Sequence, residues 1–178
     1  MTASDRYGRF SIVIHWVTLA LLVAVYACIE LREMYPRGSE IREALKTWHY
    51  MLGLSVFFLV WLRITARLVG KTPPIVPAAP RWQLLIANIV EGALYALMIV
   101  LPLLGWIILS AEGEAIPFFG LQLPAVVDAN AALAERIEEV HETLATGGYF
   151  LIGLHALAAL FHHYVRRDNA LRRMTLSR

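Results

Sequence analysis

Four stretches of this chain carry almost no charge. The first runs from Phe10 to Ile29, between Arg9 and Glu30. The second runs from Thr47 to Leu62, and reaches Ala66 if Arg63 is tolerated. The third runs from Trp82 to Ala111, broken only by Glu91, and the fourth from Thr143 to Val165. A helix that crosses a bilayer needs roughly 20 residues. None of the stretches alternates with period two, and only helices and closed barrels satisfy their backbone in lipid. The pattern predicts an all-α membrane protein, a four-helix bundle with spans over about 10–31, 45–68, 82–110 and 130–166, in one unit covering 1–178.

The connections differ in character. The first, ELREMYPRGSEIREALK, carries a Pro36–Gly38 turn signal. The second, GKTPPIVPAAPR, is proline-rich and is expected to lie extended across one membrane face. The third is the longest. Its segment IPFFGLQLP is apolar enough to lie against the bilayer or the bundle. DANAALAERIEEVHETL then reads as a helix capped by Asp128 or Asn130 that runs into the fourth span. No repeat or soluble domain is visible, and nothing suggests a nucleic-acid partner. The first span is long for the apolar region of a cleaved leader, and a histidine interrupts it, so cleavage is not expected.

Composition agrees with the pattern. The chain is 58% hydrophobic with a mean hydropathy of +0.58, above the roughly 45–50% apolar content of soluble domains. Charge then sets orientation. The two ends and the second connection hold Arg6, Arg9, Arg63, Arg67, Lys71, Arg81, Arg166, Arg167, Arg172, Arg173 and Arg178 against Asp5 and Asp168. The first and third connections hold five Lys or Arg against eleven acids, a net charge of −6. The positive-inside rule places both termini in the cytoplasm. The single cysteine, Cys28, excludes an internal disulfide, and no C-x-x-C-H motif exists for covalent haem attachment.

All six histidines, His15, His49, His141, His155, His162 and His163, lie in or at the ends of spans. A buried imidazole is costly unless something binds it. His141 and His155 are fourteen residues apart, about 40° short of four helical turns and about 21 Å along the axis. They share a face and define two stacked sites. By depth His49 matches His141, and His15 matches His155, so each pair could hold a haem iron from opposite sides. The competing reading of any one such histidine is a polar contact between helices. His162 and His163 are either an interfacial polar pair or contacts to a haem propionate or quinone. Gly53 and Gly153 (and Gly147 and Gly148) could admit a flat macrocycle, or could serve close helix packing.

Two charged residues interrupt the otherwise uncharged stretches. Arg63, fourteen residues after His49, lies level with the lower pair. It can meet a propionate or snorkel to the interface. Glu91 is the one acid inside an uncharged stretch. It is a candidate proton donor to a quinone, or a hydrogen-bond partner of a neighbouring helix or of Arg63.

The segments FSIVIHWVTLALLVAVYACIELR, KTPPIVP and HETLATGGYFLIGLHALAALFHHYVRRDNALRRM resemble the bacterial cytochrome b561 family over nearly the whole chain. The resemblance implies two non-covalent b-type haems with axial ligands His15, His49, His141 and His155. It also implies electron exchange with ubiquinone, and superoxide as the leading periplasmic one-electron partner. An anion would meet repulsion from the acidic periplasmic segments, with Arg37, Arg42 and Lys46 above His49 as a local funnel. The alternative is a haem-bearing membrane anchor that passes electrons from a separate dehydrogenase or hydrogenase to quinone. A haem-free scaffolding protein is a third reading.

Overall fold

The computed structural model describes residues 6–176. Asp5 and Arg178, counted above in the charge balance, lie outside them. Four long helices form the molecule: α1 Arg9–Arg32, α2 Glu40–Val69, α3 Arg81–Glu112 and α4 Ala131–Phe161. All four are long and apolar enough to cross a membrane. α1 packs chiefly on α2 and α3 on α4, with α2 against α3 joining the two hairpins.

Local chemistry explains the helix ends. Ser39 caps α2, its hydroxyl accepting from the Arg42 backbone N–H at 3.4 Å, and Glu40 and Glu43 fall in the first turn. Acids there complement the helix dipole, so α2 begins seven residues before the apolar run that opens at Thr47. Gly113 closes α3 in the left-handed conformation at φ 74°, which glycine adopts without a Cβ penalty. Asn130, one of the two expected caps, accepts from Leu133 N–H at 3.1 Å to start α4. α4 ends at Phe161, and a π-helical turn, His162–Arg166, carries the chain to Arg167.

The third connection departs from expectation. Its apolar segment forms an antiparallel hairpin, β1 Ile116–Phe118 with β2 Leu121–Leu123, turning at Phe119–Gly120. Strand alternation was not legible in so short a run containing proline. Ile116 is buried with Leu54 and Leu109, flanked by Tyr50, Trp106, Phe118 and Leu123. A second core of Val56, Val60 and Met98 lies between α1, α2 and α3. The outer faces stay apolar and exposed, as at Val23, Phe150 and Leu157, which suits a lipid solvent.

The proline-rich connection is pinned by the C-terminal segment. Asn169 accepts from Val76 N–H at 2.8 Å, donates its own N–H to the Val76 carbonyl at 3.1 Å and its amide to the Pro74 carbonyl at 3.2 Å. Trp16 Nε1 donates to the Met174 carbonyl at 2.7 Å, and Tyr7 N–H to the Arg173 carbonyl at 3.1 Å. The segments around Tyr7 and Met174 and the 70–80 connection therefore gather at one face.

Candidate functional site

The four span histidines meet as two pairs. The rings of His49 (α2) and His141 (α4) are 6.4 Å apart between centroids. Those of His15 (α1) and His155 (α4) are 6.3 Å apart. The pairs stand one above the other along α4. Two imidazoles facing at this distance can share one metal centre, a nitrogen from each. Among the described residues no group of three or more His, Cys, Asp or Glu is placed to hold a metal ion. Any metal between a pair must therefore bring further ligands of its own, as a macrocycle does.

The upper pair borders a cavity of about 580 Å³ between the helices, lined by His49, Gly53, Gly105, His141, Tyr26 and Tyr149 among others. A Cβ at Gly53 would meet nothing within 4 Å, so the glycine opens the α2 wall. At Gly105 a Cβ would come within 3.7 Å of His141 Cε1. Gly148 serves packing instead: a side chain there would strike the Tyr26 hydroxyl, which donates to the Ala145 carbonyl at 2.9 Å. A Cβ at Gly153 or Gly147 would also meet nothing within 4 Å. His49 Nδ1 lies 3.0 Å from the Val25 carbonyl. A carbonyl only accepts, so Nδ1 carries the proton and Nε2 keeps its lone pair. His141 Nδ1 is buried, and its approach to the Leu101 carbonyl falls short of hydrogen-bond geometry.

Arg63 turns into the bundle rather than snorkelling. Its Nη2 donates to His15 Nδ1 at 2.8 Å and its Nε to the Tyr95 hydroxyl at 3.2 Å. Glu91 meets Arg67 of α2 at 3.3 Å rather than Arg63, and its side chain is one-third exposed. Arg67 also reaches Thr72 Oγ1 at 2.7 Å.

Of the three cations expected above His49, Arg42 and Lys46 are engaged within the protein. Arg42 donates to the carbonyls of Arg32 at 2.8 Å and Tyr35 at 3.1 Å and to Glu33 at 2.9 Å. With its side chain only 14% exposed, it locks the first connection and presents little charge to solution. Lys46 Nζ lies 5.9 Å from the Tyr50 ring centroid, with Glu112 and Glu114 acting on it. Only Arg37 of the three is fully exposed.

Two constellations were missed in the sequence. Tyr149 donates to Glu30 at 2.6 Å and stacks on Tyr26 at 4.3 Å beside the upper cavity. The spacing of Tyr149 from His141, about two helical turns, was the available signal. At the opposite end His162 Nδ1 lies 2.5 Å from Oδ2 of the fully buried Asp168, whose Oδ1 accepts from Ala170 N–H at 2.9 Å. Asp168 is the one acid in the basic C-terminal run, which marked it. His163 Nδ1 is buried without a partner among the described residues.

Fold and site together define a four-helix membrane protein built around two stacked pairs of imidazoles. Comparison with known proteins gives the family. A profile described as Prokaryotic cytochrome b561 matches residues 6–176. The chain is 38% identical over 170 residues to Cytochrome b561 homolog 1 of Escherichia coli (strain K12), covering 96% of this chain and 97% of that one. It is 40% identical over 169 residues to Probable superoxide oxidase CybB of Yersinia pestis, 95% of each chain. It is 30% identical over 184 residues to Cytochrome b562 of Cereibacter sphaeroides, 98% of each chain. This chain belongs to the prokaryotic cytochrome b561 family, membrane haem proteins of electron transport.

Proposed function

We propose that the protein is a di-haem b-type cytochrome of the bacterial inner membrane, with both termini cytoplasmic. It moves electrons between a periplasmic one-electron donor and ubiquinone. The observation that carries the reading is the separation of the two histidine pairs. A metal–imidazole bond of about 2 Å and about 1.2 Å from ring nitrogen to ring centre would put two rings that share one iron about 6.4 Å apart. The pairs stand at 6.4 Å and 6.3 Å. His49 and His141 would hold the periplasmic haem, with Gly53 leaving the α2 wall open, and His15 and His155, with Gly153 nearby on α4, would hold the cytoplasmic one. The haem irons supply one-electron redox chemistry.

The chain's own groups do the rest. The Val25 carbonyl fixes the His49 tautomer that can bind iron. His15 needs a change. If Nε2 bound iron, Nδ1 would carry the proton, and the Arg63 N–H now directed there would need another acceptor. A carboxylate such as a haem propionate would suit its fork. At the cytoplasmic end we assign proton exchange with quinone to His162 rather than Glu91. Asp168 holds His162 Nδ1 as a donor and leaves Nε2 to exchange a proton, while the Glu91 carboxylate is engaged by Arg67.

Superoxide is the proposed donor, on the strength of the similarity to Probable superoxide oxidase CybB. A second reading keeps the haems and makes the protein a membrane anchor that takes electrons from a separate dehydrogenase or hydrogenase. It is favoured by the acidic rim and by the engagement of Arg42 and Lys46. Stopped-flow mixing of the purified oxidised protein with superoxide, with and without a quinone analogue, separates them. Rapid haem reduction, followed by reoxidation that the analogue blocks, is expected. Haems that superoxide leaves oxidised, in a protein that copurifies with a larger soluble subunit, favour the anchor.

A further inference from the structure

The hairpin of the third connection sits where a loop in water has no reason to go. Phe119 packs on Trp48 at 6.2 Å between ring centroids, and its backbone N–H points at Met51 Sδ, 3.4 Å away. Phe118 packs on Phe58 at 5.4 Å. Lys46 is the last charged residue of α2 before its apolar run. Met51 lies about 8 Å and Phe58 about 18 Å further along the helix at 1.5 Å per residue. Glu114 acts electrostatically on Lys46, so β1 starts from the same charged rim. Four residues of strand from Glu114 to Phe118 cover about 13 Å. The Met51 contact of Phe119 and the strand length put the turn about 8 to 13 Å beyond the rim, inside a leaflet whose hydrocarbon is about 15 Å thick.

Protein also takes up several of the hairpin's polar backbone groups, as lipid requires of non-helical chain. Its strands pair with each other. Pro117 has no N–H to leave unpaired. The Phe119 N–H takes a weak thioether acceptor rather than water. The Pro124 carbonyl accepts from Trp106 Nε1 at 2.9 Å, and Val126 N–H donates to Ser110 Oγ at 3.1 Å. What remains exposed at the tip is apolar, Phe119 at 55% and Leu121 at 65%. That surface continues onto exposed Trp48, Phe58 and Trp61 of α2. Gln122 is the one polar side chain between Ile116 and Pro124.

We propose that residues 116–123 form a re-entrant wedge in the leaflet opposite the chain termini, with Phe119 and Leu121 packed among lipid acyl chains. The wedge closes a seam. Ile116 is buried between Leu54 of α2 and Leu109 of α3, two residues that also line the upper cavity. Lipid chains at the tip hold it there, and the seal keeps water and lipid from the His49–His141 pair.

The test uses the full-length, haem-loaded protein with Cys28→Ala, reconstituted in phosphatidylethanolamine–phosphatidylglycerol vesicles. Single cysteines at Phe119→Cys, Leu121→Cys and Asp128→Cys carry a nitroxide. An absorbance spectrum matching the parent shows that each variant is folded. Collision rates with oxygen, which partitions into lipid, are compared with those of a water-soluble nickel chelate. At 119 and 121 oxygen should win by about fivefold and at 128 the chelate should win, as burial below the interface requires. Chelate access at 119 and 121 equal to that at 128 puts the hairpin in water and overturns the proposal. Labels shielded from both probes reveal a protein partner or a second copy on the tip, which also overturns it.

Discussion

Replacing Arg63 with leucine removes one positive charge beside the lower histidine pair. Its Nη2 is 2.8 Å from His15 Nδ1. About 2 Å across the ring and about 2 Å of metal–nitrogen bond place the cation about 7 Å from an iron on Nε2. At an effective dielectric of about 20, a unit charge at that distance acts with about 2.4 kcal/mol, about 100 mV for one electron. At the upper pair, about 21 Å along the bundle, the same charge acts with about 0.8 kcal/mol, about 35 mV. Loss of a cation disfavours the added electron, so both potentials fall, the lower haem's about three times as far as the other's. If Arg63 moves to a propionate on haem binding, its loss leaves that carboxylate uncompensated, and the sign is unchanged. Spectroelectrochemical titration of parent and Arg63→Leu at neutral pH measures both potentials, with single-haem histidine variants assigning them. Equal shifts, a rise, or no shift would refute the placement of Arg63 beside the lower haem.

Two other outcomes follow from the charges and contacts. The acidic rim repels an anion: six net charges at about 15 Å in water act with about 1.7 kcal/mol before screening. Raising salt from about 0.01 M to about 0.1 M shortens the Debye length from about 30 Å to about 10 Å. Haem reduction by superoxide should therefore speed up about threefold, whereas a rate that falls with salt would mean a cationic entrance. Asp168→Asn, which keeps a hydrogen bond to His162, should slow reoxidation by ubiquinone about 100-fold, the low end of general acid–base effects. Reoxidation by ferricyanide, which needs no proton, should stay at the parent rate. Equal slowing with both oxidants would make the His162–Asp168 contact purely structural.

The spans were legible because lipid imposes one simple rule, a long uncharged run, and each of the four runs became a helix. The pairing of histidines was legible because helical rise converts spacing into depth, and His49 found His141 and His15 found His155 as that conversion requires. The hairpin was not, since a strand pair of three residues each leaves too short an alternation to read. Partners of charged side chains were not either. Depth placed Arg63 and Glu91 correctly near the lower level, but the choice of Arg67 over Arg63 for Glu91 depends on helix rotation. Arg42 looked like a free cation above His49. Its role in tying the first connection depends on carbonyls ten and seven residues upstream, which become acceptors only once α1 ends and the chain turns.

The central claim is that each histidine pair holds one haem. Haem content per chain, measured by pyridine haemochrome against quantitative amino-acid analysis, tests it across the parent and the variants His15→Ala, His49→Ala, His141→Ala and His155→Ala. The parent is expected to hold two six-coordinate low-spin haems. Each alanine variant is expected to lose the haem of its own pair and keep the other. A parent with a single haem or none, or four variants that all keep the parent's content, would contradict it.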